Sequence, residues 1–210
     1  MELIFDTKSV KVYCFDLPVG GLNDEEIKIH LESFPPLMQQ RISAYKDRLD
    51  RQHRIMGKLM LQQLIKDFDL DKHLDLSQIQ YSKYNQPFFN SDLFFSTSHA
   101  GNKVICAASK TKNIGIDIEK IVPRDLNEFI NLLSDKELVK IQKNPDPLIE
   151  FYKCWTKKEA LSKAIGLGVN NDFTVGSNSE NEILANEKSY SFYELPVSTE
   201  YVATLVIVNA

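Results

Sequence analysis

The chain has 210 residues, of which 43% are hydrophobic and 26% charged, and its formal net charge is −4. That length and composition fit a globular protein of one large domain or two modest lobes. No apolar run approaches the roughly 18 residues of a membrane span, MELIFDTKSV at the N-terminus has no signal-peptide pattern, and the acidic balance argues against general nucleic-acid binding.

The first half of the sequence predicts strands around one long helix. Residues 10–15 alternate as a strand, and Asn23 is a suitable N-cap for a helix that follows it. Helical spacing resumes after Pro35-Pro36 and continues in a long amphipathic segment from 47 to 68. The other elements predicted in this half are short strands at 79–82, 93–96 and 104–109, and a turn at Asn85-Gln86-Pro87.

The second half has a similar order of elements. IGIDIEK, residues 114–120, reads as a strand, residues 126–133 as a short helix, and Ser134 with Glu137 as the capping box of another helix. A longer helix is predicted from 147 to 165, ending at Gly166. Late strands are predicted at 173–175, 189–193 and 201–208, and GSNSENE, residues 176–182, as a loop or hairpin turn. We therefore expect an α/β (α+β) chain of two lobes, 1–108 and 109–210.

Three cysteines, Cys14, Cys106 and Cys154, are scattered along the chain without a C-x-x-C pair. The first two lie in apolar, strand-like segments. The pattern predicts buried, reduced thiols in a cytoplasmic protein rather than a disulfide or a zinc site.

Two carboxylates stand side by side in the predicted strand IGIDIEK. Asp117 and Glu119 are two residues apart, so the alternation of a strand puts them on one face. Two ionised carboxylates about 5 Å apart repel by roughly 3 kcal/mol at an effective dielectric of about 20. A cation, a shared proton or full solvation would relieve that repulsion. The strand by itself leaves both a functional site and a solvated face open.

A second charged pair lies in WTKKEALSKAIGLGV, residues 155–169. Glu159 and Lys163 are four residues apart, so they share a helix face, with Trp155 as a packing residue. Taken alone, the pair also fits an exposed ion pair worth about 0.3 kcal/mol.

A third cluster is FFSTSHAG, residues 94–101. Ser98 and His99 at a strand end suit a phosphate or another anion, and a polar turn with a satisfied histidine is the alternative. The other histidines, His30, His53 and His73, show no ligand spacing, and we assign them no metal.

Together the three clusters predict more than each does alone. Asp117, Glu119 and Glu159 would supply three hard oxygen ligands, which suit Mg²⁺ completed by water and substrate phosphates. Lys163, one turn from Glu159, could reach a phosphate on that ion, and FFSTSHAG could hold a more distant one. The combination predicts metal-assisted phosphoryl-group transfer.

The ordered set FSTSHAG, GIDIE and FYKCWTKKEALSKAIGLGV resembles the 4′-phosphopantetheinyl transferases, in particular their larger two-lobed, Sfp-like class. The family pattern is F-N-x-S-H-S-G, then G-[IV]-D-[IVL]-E, then W-[ST]-x-K-E-A-x-x-K-x-x-G-x-G, and order and spacing agree over residues 83–169. The resemblance implies two similar α/β lobes related by a pseudo-twofold axis, with the site in the cleft. It also implies transfer of the 4′-phosphopantetheine arm of coenzyme A to a serine of an apo acyl or peptidyl carrier protein, which releases adenosine 3′,5′-bisphosphate.

The same resemblance implies roles for individual residues. Asp117, Glu119 and Glu159 would bind Mg²⁺ at the diphosphate of coenzyme A. Glu159 would be the base for the attacking serine, and Lys163 would neutralise charge on the departing phosphate. The residues that the resemblance implies as coenzyme A contacts are Arg41, Arg54, Gln86, Pro87, Ser98, His99 and Lys163.

The sequence departs from the family pattern around the nucleotide turn. Gln86 stands where lysine is usual and removes a positive charge, while Asn85 stands for glycine but tolerates positive φ. Ser96 and Ala100 stand for asparagine and serine. These departures leave open a non-catalytic relative that binds coenzyme A or a carrier, and a general two-lobed nucleotide-binding module.

The apolar segment 122–133 is the expected docking site for the carrier, with inward packing of its side chains as the alternative. We expect a monomer, because two lobes in one chain already form a cleft.

Overall fold

The computed structural model describes residues 1–166 and 188–209, together with the backbone of two strands at 176–179 and 182–185. The chain divides into two compact units, Met1–Thr111 and Lys112–Ala210. The mixed α/β class is confirmed, and the sheets are antiparallel. Within the described residues, every helix is too short or too polar to cross a bilayer. The strand predicted at 173–175 lies outside the described residues.

The first unit is a four-stranded antiparallel sheet with a long helix on it. Its elements in chain order are β1 (Glu2–Asp6), β2 (Val10–Asp16), α1 (Asp24–Glu32), α2 (Pro36–Ser43), α3 (Arg48–Asp67), a 3₁₀ turn (Leu76–Gln78), β3 (Gln80–Tyr81), β4 (Pro87–Phe88), β5 (Phe94–Ala100) and β6 (Lys103–Ser109). The sheet order is β1-β2-β6-β5, β3 pairs with β4 separately, and α3 packs on β6, β5 and β2.

Local capping chemistry sets the helix starts in this unit. The Asn23 side chain accepts from the backbone N–H of Glu26, whose side chain accepts in return from the N–H of Asn23. Asp47 caps α3 by accepting from the N–H of Asp50. Burial of the apolar face of α3 then fixes it on the sheet; its largest fully buried side chains are Ile55, Met60, Leu61 and Leu64.

β5 is longer than predicted. It pairs with β6 from Phe94 to Ala100, and the reversal falls at Gly101, whose φ is +53°. The polar residues of FFSTSHAG are therefore strand residues, not turn residues, because pairing with the apolar β6 extends the strand through them. The polar-turn interpretation of this segment is wrong.

The second unit is a five-stranded antiparallel sheet with a long helix against one edge strand and its neighbour. Its elements are β7 (Ile114–Lys120), a 3₁₀ helix (Leu126–Leu132), α4 (Asp135–Lys143), α5 (Pro147–Ile165), β8 (Gly176–Ser179), β9 (Glu182–Ala185), β10 (Lys188–Glu194) and β11 (Tyr201–Asn209). The order is β7-β11-β10-β9-β8, and α5 packs on β7 and β11. GSNSENE is thus largely strand, since β8 pairs with β9.

α5 has the bounds that the sequence predicts. Asp146 accepts from the N–H of Ile149, Pro147 opens the helix, and Gly166 ends it at φ +81°. α4 begins as predicted at the Ser134–Glu137 capping box. All three cysteines are buried, free thiols.

Gly115 sets the distance between β7 and α5. A Cβ built on Gly115 collides with the carbonyl oxygen of Ala160 and lies 2.6 Å from the backbone nitrogen of Ala164. Glycine therefore lets the backbone of α5 lie directly on β7. The charged residues of the strand and the helix are brought together by this close approach.

Candidate functional site

β7 presents a charged face and an apolar face. Gly115, Asp117 and Glu119 alternate onto one face, while Ile116 and Ile118 alternate onto the other and are 0% and 1% exposed. Asp117 is only 4% exposed and Glu119 is half-buried. This face is therefore covered rather than solvated, and the interpretation of the pair as a solvated strand face is wrong.

Lys163 of α5 pairs with the strand. Its Nζ donates to Oδ1 of Asp117 at 2.8 Å and to the carbonyl oxygen of Ile116 at 3.1 Å. Glu159 lies one turn earlier on the same half-buried helix face. The ion pair of Lys163 thus links helix to strand, and the two charges of α5 are not simply an exposed pair along the helix.

Burial and the charge of Asp117 raise the pKa values of Glu119 and Glu159. Burial raises the pKa of Glu159, repulsion from Asp117 raises it further, and the Lys163 ammonium opposes the shift. Burial also raises the pKa of Glu119, again with repulsion from Asp117 and more weakly from Glu159. Mutual repulsion in a partly dry environment is a recurrent property of functional sites.

Two further residues act on Glu119: Trp155, expected only as a packing residue, and Arg124. The Trp155 side chain hydrogen-bonds to the Glu119 carboxylate, and the Arg124 guanidinium lies close enough to lower its pKa against the effect of burial. Arg124 also lies over the Phe129 ring, 5.0 Å from its centroid. Trp155 precedes Glu159 by four residues, and that helical spacing was the available signal for it.

The chemistry of the three carboxylates fits a hard divalent cation, although their oxygen atoms do not all lie within 4.8 Å of one another. Lys163 pairs with Asp117 and acts on Glu159, and the pKa values of Glu119 and Glu159 are raised partly by neighbouring carboxylates. Carboxylate oxygens are the ligands that Mg²⁺ takes in proteins. A divalent cation would relieve the repulsion that the fold builds in at Asp117, Glu119 and Glu159.

The first unit holds the histidine predicted to bind an anion. His99 is half-buried on β5, and its ring stacks on that of His53, with centroids 4.2 Å apart and planes at 19°. Ser98 is 8% exposed and, as the neighbouring strand residue, points to the opposite face of the sheet. The side chains of Ser98 and His99 are therefore not on one face.

The predicted arginines lie on α2 and α3. Arg54 is half-buried and stacks on Tyr45, with Cζ 4.5 Å from the ring centroid, and its Nε lacks a hydrogen-bond partner among the described residues. Arg41 is exposed and lies 3.8 Å over the Tyr81 ring. Lys58, one turn after Arg54, is a missed basic residue whose pKa burial lowers to about 8.

The predicted turn at 85–87 is present. Asn85 has a φ of +60°, as expected for an asparagine at a glycine-type position, and its N–H donates to the carbonyl of Ser82. The backbone N–H of the half-buried Gln86 donates a hydrogen bond to the Ser82 hydroxyl. Pro87 begins β4 and pairs with Tyr81.

Among the described residues, Asp50, His53 and His99 form a group whose ligand atoms all lie within 4.8 Å of one another. The three acidic residues of the second unit do not form such a group. The sequence analysis assigned no metal to His53, which lies three residues after Asp50 on α3.

The apolar segment 122–133 divides into two parts. Leu126, Phe129 and Leu133 are partly buried and pack against the core around Phe151, so inward packing is correct for them. Val122 and Ile130 remain 38% and 43% exposed.

We expect the Glu159→Gln variant to be more stable than the wild type at pH 7 without divalent cations. The folded-state pKa of Glu159 is raised above its ordinary 4.5. The stabilisation of the folded state that results from this shift is therefore fully present below pH 4.5 and is lost as the pH rises through the folded-state pKa. Urea titrations from pH 4 to 8, followed by the fluorescence of Trp155, measure the difference.

The stability difference between the variant and the wild type should shrink as the pH falls towards 4.5. Glu200→Gln, at an exposed position, is the control and should show neither gain nor pH dependence. An equal difference at every pH would contradict this electrostatic account of Glu159.

Comparison with known proteins finds a similarity over the second unit. Residues 113–206, which carry β7, α5 and their charged residues, match the model described as the 4′-phosphopantetheinyl transferase superfamily. Over these residues, which are less than half of its length, the chain is similar to that superfamily.

Three curated relatives share this similarity. The 4′-phosphopantetheinyl transferase gsp of Aneurinibacillus migulanus is 29% identical over 134 residues, covering 62% of this chain and 55% of the relative. A 4′-phosphopantetheinyl transferase of Bacillus subtilis is 35% identical over 91 residues, 41% of this chain and 40% of the relative. The 4′-phosphopantetheinyl transferase HetI of Nostoc sp. (strain PCC 7120) is 36% identical over 86 residues, 39% of this chain and 36% of the relative. The chain thus spans less than two thirds of each.

Proposed function

We propose that the chain transfers the 4′-phosphopantetheine arm of coenzyme A to a serine of an apo acyl or peptidyl carrier protein in a Mg²⁺-dependent reaction. The observation that carries this proposal is the strand–helix pair β7–α5, which lies within the matched residues 113–206 and brings Asp117, Glu119, Glu159 and Lys163 together. We further propose that the chain is of the two-lobed, Sfp-like class, with lobes 1–108 and 109–210. In this proposal it acts as a monomer in the cytoplasm.

Asp117, Glu119 and Glu159 are the proposed ligands of Mg²⁺. When bound there, the ion would hold the diphosphate of coenzyme A and neutralise its charge. Trp155, through its hydrogen bond, and Arg124, through its charge, stabilise the ionised form of the Glu119 carboxyl, which is the form that binds a cation.

Glu159 is the proposed base. The serine oxygen of the carrier forms a bond to the β-phosphorus, the bond from that phosphorus to the bridging oxygen breaks, and the serine proton passes to Glu159. In the metal-free site, burial and the charge of Asp117 raise its pKa, so this carboxylate accepts a proton more readily than an ordinary glutamate. Lys163, already a donor to Asp117, would donate to the departing adenosine 3′,5′-bisphosphate.

The first unit supplies the proposed nucleotide contacts. His99 and Arg54 offer nitrogen donors for phosphate, and the unpartnered Nε of Arg54 among the described residues supports this use. Pro87 and the half-buried Gln86 form the proposed edge of the nucleotide turn. The more exposed Arg41 is a further proposed contact, and Ser98 would act through its backbone, since its side chain faces away from that of His99.

The proposed docking surface for the carrier is the exposed pair Val122 and Ile130, beside Arg124. An apolar pair next to a cation suits an acidic carrier despite the net charge of −4.

The test is incubation of several apo carrier proteins with the chain, coenzyme A and Mg²⁺, followed by intact mass measurement. We expect one carrier at least to gain the mass of one phosphopantetheine arm, and to gain none when Mg²⁺ is chelated. Thermal stabilisation by coenzyme A without transfer to any carrier would instead support the non-catalytic alternative, which the glutamine at position 86 favours.

A further inference from the structure

The cluster of Asp50, His53 and His99 in the first unit lies outside the acidic site. Their ligand atoms are within 4.8 Å of one another. Asp50 and His53 are three residues apart on α3 and so share a helix face. His99 comes from β5, on which α3 packs. A carboxylate and a histidine three apart on a helix is an arrangement that metal-binding helical proteins use.

His53 is held in the manner of a metal ligand. Its side chain is buried, with the residue 4% exposed, and Nε2 lies 2.9 Å from the carbonyl oxygen of Gly101. Because a carbonyl only accepts, Nε2 carries the proton and Nδ1 carries the lone pair. Nδ1 is buried and has no hydrogen-bond partner within the described part of the chain. Metal-binding histidines commonly donate their other N–H to such a carbonyl.

We propose that Asp50, His53 and His99 bind a transition-metal ion of the Zn²⁺ type. Two imidazoles and one carboxylate favour Zn²⁺, Co²⁺ or Ni²⁺ over Mg²⁺. Three protein ligands leave a fourth position for water or an anion. This site therefore selects a different metal from the all-carboxylate set of the second unit.

Binding requires His99 to rotate out of its stack on His53, because nearly parallel rings cannot direct their in-plane lone pairs at one ion. With bonds of about 2.0–2.2 Å, tetrahedral ligand atoms lie roughly 3.4 Å apart, so the three atoms must approach by at most about 1.4 Å. His53 is fixed by its bond to Gly101, whereas Asp50 and His99 are half-buried. Rotation of these two side chains supplies the movement, and their partial exposure gives the ion an entry path.

The test uses Co²⁺ as a spectroscopic probe on the full chain, with excess Mg²⁺ present to occupy the carboxylates. We expect one Co²⁺ per chain, with tetrahedral visible bands that Zn²⁺ abolishes. Asp50→Asn and His53→Gln should each weaken Co²⁺ binding at least tenfold. His30→Gln, at a half-buried histidine of α1 outside this cluster, is the matched control and should bind as the wild type does.

Three results would overturn the proposal. These are the absence of stoichiometric Co²⁺ binding, binding that survives both Asp50→Asn and His53→Gln, and a thiolate charge-transfer band that assigns the metal to cysteine. Circular dichroism checks that each variant is folded. If His53→Gln unfolds, Co²⁺ binding by Asp50→Asn and by His99→Gln decides the result, because both positions are half-buried. Because none of these readouts uses transfer, the site is tested separately from the proposed activity.

Discussion

The Glu159→Gln variant should transfer phosphopantetheine about 10²–10⁴-fold more slowly than the wild type while staying folded. The substitution keeps the shape of the side chain but removes a proton acceptor and one of three carboxylates. Loss of a group that acts on the reacting proton lowers the rate of the chemical step directly. Because Glu159 is repelled by Asp117, glutamine at this position relieves strain in the fold and does not create it.

Time courses of carrier modification by intact mass, at saturating coenzyme A and Mg²⁺, measure this effect. Glu200→Gln removes the same charge from an exposed position of the second unit and should retain the wild-type rate. A folded Glu159→Gln protein with an unchanged rate would remove Glu159 from both the metal site and the proton transfer.

Helix ends were predictable where the determining interaction is local. The Asn23 and Ser134 capping boxes and the Gly166 stop involve residues within four positions of one another, so their sequence patterns suffice. β1 was missed and β5 was cut short, because the extent of these strands depends on pairing with β2 and β6. Such pairing is set by residues distant in sequence, and single-segment patterns do not report it.

The candidate site follows the same division. Alternation placed Asp117 beside Glu119, and helical spacing placed Glu159 beside Lys163, from the sequence alone. The bond from Lys163 to Asp117 joins residues 46 positions apart, so only the packing of α5 on β7 reveals it. The stacking of His53 on His99 likewise depends on α3 lying on β5. A helical pattern on α3 shows which residues share a face but not what that face meets.

Gly115→Ala should destabilise the second unit by about 3 kcal/mol or more, at or above the upper end of the usual overpacking cost. The new methyl group meets the carbonyl oxygen of Ala160 and the backbone nitrogen of Ala164, and neither can rotate away. α5 must therefore shift from β7 as a whole. Since α5 carries Glu159 and Lys163, transfer activity should fall together with stability.

Gly57→Ala is the matched control for this substitution. Gly57 is also a buried glycine, but a Cβ there meets only Cγ2 of Thr97, at the ordinary contact distance of 3.8 Å. As Gly57 lies within α3, alanine should leave stability unchanged or raise it by up to about 1 kcal/mol.

Urea unfolding separates the two glycine substitutions. The single tryptophan of the chain, Trp155, lies on α5, so its fluorescence reports the unit that contains Gly115. Circular dichroism follows both variants. Equal stability of the two variants, or a Gly115→Ala protein with the wild-type urea midpoint, would mean that α5 does not lie on β7 at the distance described, and Lys163 could not then reach Asp117.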